Sequence, residues 1–231
     1  MGSLRSLPYS REKPKTGAGS VKYYPLFLDI KGKEVLVIGG GVIALEKILN
    51  LLKAGAKITV VAPEISKSVR RFNRRITYVY RKFQDQDIQE KYLLIFAATG
   101  DSTLNAKVSQ ACLKRRILCN TVDDPKWCHF IVPAIMRRGY LTIAISTAGV
   151  SPTLAKWVKT ILYATFRKEV TQLTRFLNVF RQDIKVKIPT LSGRMMFWKD
   201  FYALKPMSIM RRSGIEALKK TAYNFLENYN G

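Results

Sequence analysis

Residues 33–63, KEVLVIGGGVIALEKILNLLKAGAKITVVAP, constrain this chain more than any other stretch. Residues 34–38 are a short apolar run with β-branched members, and Gly39-Gly40-Gly41 follow at once. Ile43, Ala44, Ile48, Leu51 and Leu52 then recur at helical spacing, Gly55 stops the helix, and residues 58–61 predict a second buried strand. This is a βαβ unit with G-x-G-x-x-A at its first turn. Gly39 permits the tight turn, Gly41 lets the backbone approach a pyrophosphate, and Ala44 allows the helix to pack closely on the strand. The first N–H groups of the helix and the positive end of its dipole then face the phosphates. A plain glycine turn in a parallel sheet would read similarly at the glycines alone. The complete βαβ context favours dinucleotide binding at Gly39, Gly40 and Gly41.

An acidic residue that binds ribose is expected about twenty residues beyond such a turn. The second strand ends Val60-Val61-Ala62-Pro63, and Glu64 comes one or two positions late. Glu64 either reaches a ribose hydroxyl or is a solvated residue at a helix start. No Arg stands at the strand end to grip a 2′-phosphate, so NAD is favoured over NADP.

A chain of 231 residues with 47% hydrophobic content and three Trp can bury a sizeable core. No apolar run reaches membrane-spanning length. Cys112, Cys119 and Cys128 have no C-x-x-C spacing, which fits a reducing compartment, and a cytoplasmic protein is expected. Residues 1–20 lack the apolar core of a secretory signal and are expected to be a mobile basic tail, with a transit segment as the alternative. The net charge of +24 would attract polyanions. A basic nucleic-acid or regulatory binding protein on a dinucleotide fold is therefore a rival reading. No nucleic-acid motif supports it, and the densest cluster, Arg70-Arg71 with Arg74-Arg75, reads as a solvated helix face and its exit.

Further along, residues 76–80, 93–98 and 117–122 predict strands, and residues 103–114 an amphipathic helix. Together with the first unit they describe one Rossmann-type, doubly wound α/β domain over residues 21–129. Ligands of such sheets bind outside the carboxyl ends of the strands. The glycine turn, Ala97-Ala98-Thr99 with the residues up to Asp101, and residues 122–125 should therefore converge. The pattern then changes. Residues 130–134 and 141–146, separated by Arg137-Arg138-Gly139, read as an antiparallel hairpin. Ser151 as N-cap and Pro152 at the first helical position open a helix to about residue 168. Later helices are expected over 169–185, 193–202 and 213–228. Ile131, Val132, Ile143, Ile145, Leu154 and Trp157 look exposed, so residues 130–168 should face a partner, most simply a second copy.

Three stretches carry a resemblance: YYPLFLDIKGKEVLVIGGGVIALEKILNLLKAGAKITVVAP, IFAATGDSTLNAKV, and LCNTVDDPKWCHFIVPAIMRRGYLTIAISTAGVSPTLAKWVK. Together they resemble the precorrin-2 dehydrogenase family over residues 23–159. The IST-x-G-x-SP segment, residues 145–152, is the most specific feature beyond the glycine turn. RMMFWKDF, residues 194–201, is a weaker echo of the family's C-terminal helices. The resemblance implies NAD-dependent oxidation of precorrin-2 to sirohydrochlorin, on the way to sirohaem. It also implies a homodimer built through residues 130–168, with a C-terminal helical region over 169–231. It places the key carboxylate at Asp123 in NTVDD, NAD contacts at Val42, Ile43, Pro63 and Glu64, and a substrate-side hydroxyl at Thr147. Some members of the family also insert ferrous iron into the product, and one carboxylate could serve both reactions. Three features depart from the family: Gly100 where an acidic residue is common, His129 after Cys128, and the high positive charge.

Hydride removal from a partly reduced tetrapyrrole calls for a nicotinamide at the substrate face and a proton acceptor nearby. Asp123, at a strand's carboxyl end, can be that acceptor; Asp123-Asp124-Pro125 is also ordinary turn chemistry. The substrate's carboxylate arms call for basic partners, for which Arg137, Arg138 and Lys156 are the candidates. No cluster has metal-ligand spacing, His129 reads as structural, and no bound metal is expected.

Overall fold

In the computed structural model the described residues are 22–122 and 124–229. Asp123 and the 1–20 segment lie outside them. The chain divides into two compact units, one ending at Ile131 and the other starting at Val132.

The first unit is a five-stranded parallel sheet. Its strands are β1 (Glu34–Ile38), β2 (Lys57–Val61), β3 (Ile76–Val79), β4 (Tyr92–Ala97) and β5 (Leu118–Thr121), in the order β3-β2-β1-β4-β5. The central strands are buried on both sides: Val35, Leu36, Val37 and Ile38 are all at or below 1% exposure. Such continuous apolar runs belong to parallel sheets covered on both faces. Helix α1 (Val42–Lys53) buries Ala44, Ile48, Leu51 and Leu52 of the stripe read from the sequence, while Ile43, in its first turn, is exposed. A short α2 (Lys67–Arg70) and α3 (Ser102–Lys114) complete the helical connections, and Val108 and Cys112 of α3 pack onto Leu36, Ile95 and Cys119 of the sheet. A 3₁₀ turn at Asp85–Asp87 precedes β4, and another at Pro125–Trp127 follows β5.

The second unit opens with a hairpin, β6 (Ala134–Arg138) and β7 (Leu141–Ile145). Its first strand lies four residues later than expected. Pro133, inside the expected strand, has no N–H to give a ladder. Phe130 instead belongs to the first unit, with its ring edge-on to Phe96 at 5.5 Å and its carbonyl taking the Asn120 side-chain N–H at 2.9 Å. Arg137 and Arg138 are thus strand residues paired with Thr142 and Leu141, and the turn is Gly139-Tyr140. Gly139 has φ 58, and a Cβ there would press on Thr171 and Thr174 of the helix beneath.

Four helices follow: α4 (Pro152–Thr165), α5 (Glu169–Lys187), α6 (Leu191–Ala203) and α7 (Pro206–Glu227). Ser151 caps α4, its hydroxyl accepting the Leu154 N–H at 3.2 Å. The last helix begins seven residues earlier than expected, because Pro206 starts it and Gly214 (φ 82, ψ 177) interrupts it without ending it. Leu173, Phe176, Phe180, Ile184, Phe197, Phe201 and Leu218 form one core across α5, α6 and α7. Phe180 is fully buried and has five aromatic neighbours, the rings of Phe176, Phe197, Trp198, Phe201 and Tyr223, within 6.2 Å. Among the described residues no helix is long and apolar enough to cross a membrane.

Candidate functional site

The order β3-β2-β1-β4-β5 reverses direction between β1 and β4, and the crevice above that point is where open α/β sheets hold ligands. The glycine turn stands there. Gly39 has φ 118, a conformation that side-chain-bearing residues rarely adopt, and a Cβ on it would collide with the Ala98 carbonyl. Its N–H donates to Val61 O at 2.9 Å, while Ala98 N donates to Ile38 O at 2.8 Å. Gly40 lies against the exit of β2: its carbonyl accepts the Ser66 N–H at 2.9 Å, and a Cβ would run into the Glu64 carbonyl. Two glycines are therefore required by the protein's own packing.

Gly41 differs. A Cβ there would have no atom within 4 Å, so it faces open space. It caps α1, has no side chain to accept the first-turn N–H groups, and no acidic residue follows in that turn. Val42 is 80% exposed and Ile43 is exposed beside it. An uncapped, unobstructed helix start is the geometry that fits a pyrophosphate, so these residues suit a dinucleotide.

The walls come from the neighbouring strand ends. Pro63 and Glu64 are exposed beside Gly40. Ala97 and Ala98 are buried, presenting backbone, and Thr99 is half-buried above them. Asn105 of α3, 3% exposed, fixes this wall. Its Oδ1 accepts from Thr99 N at 3.2 Å and Thr99 Oγ1 at 2.7 Å, and its Nδ2 donates to Thr99 O at 3.1 Å. Asp101 caps α3 by accepting the Leu104 N–H at 3.0 Å. Asn105 went unnoticed in the sequence; a polar residue on the inner face of an amphipathic helix, where Ser109 is buried too, was the available signal.

The β5 exit adjoins this wall through Val122 N, which donates to Ala97 O at 3.2 Å. The strand ends at the glycine turn, at Ala97–Thr99 and at Val122 are thus neighbours. Asp123, the next residue, lies outside the described ones. Asp124 caps the 3₁₀ turn, accepting the Lys126 N–H at 2.8 Å. His129 accepts the Cys119 N–H on Nδ1 at 3.2 Å and is a strand-edge brace. Cys119 and Cys112 are both buried, and the hydrogen bond between their thiols together with burial pushes the Cys119 thiol well above its ordinary range. Cys119 is therefore no nucleophile.

The remaining candidates lie in the second unit. Thr147 Oγ1 accepts the Ser151 N–H at 3.0 Å in a tight loop where Ala148 has φ 53. Arg137 is exposed. Arg138 is committed within the protein: its Nε donates to Phe166 O at 3.0 Å and its guanidinium lies 4.5 Å from the Tyr163 ring centre. Lys156 is exposed on α4.

Known proteins carry the same pattern. A family model described as "Putative NAD(P)-binding" matches residues 26–134. A solved structure titled SirC, precorrin-2 dehydrogenase, superposes with a TM-score of 0.72 at 29% identity, covering 90% of this chain and 100% of that one. Over most of its length the chain is thus similar to a precorrin-2 dehydrogenase, and residues 26–134 match the NAD(P)-binding family model. Among relatives, siroheme synthase of Vesicomyosocius okutanii is 37% identical over 185 residues, which is 79% of this chain and 40% of the relative. That of Zymomonas mobilis is 37% identical over 179 residues, covering 77% and 38%. The chain thus spans about 40% of the length of these relatives. Residues 26–134, matched to the NAD(P)-binding model, contain every part of the dinucleotide crevice described above.

Proposed function

We propose that this protein oxidises precorrin-2 to sirohydrochlorin with NAD, as a cytoplasmic homodimer. The observation that carries this reading is the open Gly41 helix start at the switch point of the sheet, in a chain that superposes over 90% of its length on a structure titled SirC, precorrin-2 dehydrogenase.

The reaction removes a hydride and a proton from the macrocycle. Bound NAD supplies the hydride acceptor. Gly39 and Gly40 hold the turn shut, and Gly41 leaves the first N–H groups of α1 free for the pyrophosphate. Glu64, which is exposed beside Gly40, contacts the adenosine ribose in this reading. Asp123 accepts the proton as general base. Arg137, Lys156 and the Thr147 loop hold the carboxylate arms. Arg138 supports the second unit, since its Nε donates to Phe166 O and its guanidinium stacks on the Tyr163 ring.

Anaerobic incubation of precorrin-2 with NAD, followed by absorbance of the oxidised macrocycle and of NADH at one-to-one stoichiometry, tests the reading. No NADH and no sirohydrochlorin from folded protein would reject it. Repeating the assay with ferrous iron shows whether the same protein also metallates the product.

A further inference from the structure

We propose that the amino-end edge of the five-stranded sheet is a binding surface for the phosphodiester backbone of duplex nucleic acid, separate from the dinucleotide crevice. All five strands run parallel, so the strand exits, with the glycine turn, share one edge and the strand entries share the opposite one. A five-residue strand such as β1 sets the two edges about 16 Å apart.

The five strand entries are residues 31–33, 53–57, 71–75, 89–91 and 114–117. They hold eleven Lys and Arg against a single Glu, and all eleven are exposed. The turns that form the crevice, residues 39–41, 62–66 and 98–101, hold no Lys or Arg. Positive charge is thus concentrated at the edge that NAD binding leaves unused. Local roles account for some of it. Lys53 and Lys114 lie in the last turns of α1 and α3, where the helix dipole favours a cation. Arg75 and Arg115 donate to the helix-end carbonyls of Leu52 and Ala111, both at 3.2 Å. Lys57 faces Glu34 at 3.9 Å. Among the described residues no other of the eleven has a carboxylate oxygen within 4.0 Å. Lys33, Arg74, Lys91 and Arg116 serve none of these roles.

The edge is notched on either side of β1. One concavity of about 630 Å³ has Lys33, Lys91, Arg115 and Arg116 in its wall, a second of about 440 Å³ has Lys57, Arg74 and Arg75, and Glu34 borders both. Adjacent strands lie about 4.8 Å apart, so the five entries span about 19 Å. One strand of a B-form duplex advances about 3.4 Å per phosphate, which sets roughly five or six phosphates along that row. A row of cations with this reach suits a regular polyanion better than a single phosphate group. Phe72 is the one aromatic residue in the five entries, and the Arg71 guanidinium covers its ring at 4.9 Å from the centre. The entries therefore lack the exposed aromatic platform on which unpaired bases stack, which favours a duplex over a single strand. Contact with the backbone reads charge and not sequence, so it needs no base-reading motif.

The test is fluorescence anisotropy of a labelled DNA duplex of about 20 base pairs and mixed sequence, titrated with the full chain between about 50 and 200 mM salt. Binding is expected, with affinity falling linearly in log salt. The variant Lys33→Gln/Arg74→Gln/Lys91→Gln/Arg116→Gln should make that slope shallower by about 3 to 4 and weaken binding at about 100 mM salt by about 10²-fold or more. Arg175→Gln/Arg181→Gln/Lys185→Gln/Arg212→Gln removes the same charge from exposed positions of the second unit and should change the slope by less than about 1. NAD affinity should stay within about twofold in both variants, because the crevice is untouched. Absence of duplex binding at about 100 mM salt overturns the proposal. Equal losses in the two variants also overturn it, since net charge alone then accounts for binding, as does a wild-type slope in the edge variant. Capture by phosphatidylserine vesicles without duplex binding would assign the edge to a membrane surface instead. Should the fourfold edge variant not fold, Lys33→Gln/Lys91→Gln and Arg74→Gln/Arg116→Gln decide: each should make the slope shallower by about 2, and unchanged slopes in both refute the surface.

Discussion

Gly40 and Gly41 are adjacent, yet a side chain added to each meets opposite conditions. At Gly40 it strikes the Glu64 carbonyl and Ile65; at Gly41 it enters open space. Gly41→Asp should therefore fold normally and lose NAD binding, because the carboxylate occupies the phosphate cradle and repels the anion. Gly40→Ala should instead destabilise the domain by about 1–3 kcal/mol, as overpacking does. Calorimetric titration with NAD alongside thermal melts separates the two, and unchanged NAD affinity in folded Gly41→Asp would refute the site. Asp123→Ala should lower dehydrogenation by about 10² or more. Asp124→Ala removes only a cap on the 3₁₀ turn and should lose far less, at about 1 kcal/mol of local stability. Wild-type turnover in Asp123→Ala would show that the carboxylate is structural. At this scale the glycines were legible because their roles follow from backbone geometry. Asn105 was not, because its meaning depends on a partner 6 positions away that only folding brings within reach.

Among the elements, α1 and the five strands follow the apolar patterns of the chain closely. The hairpin does not, because the apolar run FIVPAI ignores that Pro133 cannot pair and that Phe130 packs on Phe96. This slip changes the reading of two arginines. Arg138→Ala should lower the melting temperature by removing its bond to Phe166 O and its stacking on Tyr163, whereas Arg137→Ala should leave stability alone and raise KM for the tetrapyrrole. Equal effects of the two on KM would contradict this division. The loop before β4 has its own pH signature. Asp87 is buried and accepts from Arg81 at 2.8 and 2.5 Å, and that hydrogen bond holds its carboxyl below the usual value. A depressed folded-state pKa adds stability above the unfolded carboxylate pKa and loses it as pH falls through the folded one. Denaturant midpoints should thus fall in acid below about pH 4, more steeply in wild type than in Asp87→Asn. Parallel curves for the two proteins would rule out the pair as the cause.

For the whole molecule, the second unit leaves apolar side chains in solvent: Val150 at 88%, Trp157 at 61% and Leu154 at 45% exposure. Such a patch on one face suits a symmetric partner, and sedimentation at micromolar concentration in moderate salt should give the mass of a dimer. A monomer under those conditions would count against it. Trp157→Glu should shift the population to monomer. The parallel α/β class and the glycine turn were readable from the chain alone, since strand period, helix period and glycine spacing are local properties written every few residues. Strand order was not, because pairing β1 with β4 joins segments more than fifty residues apart by a choice among sheet neighbours that no local pattern encodes. Folding likewise decided that Gly40 serves packing while a side chain at Gly41 would meet open space, and that Arg138 bonds Phe166 O and stacks on Tyr163 at the end of α4. Each depends on which groups become neighbours in space, and burial then determines what those neighbours can do.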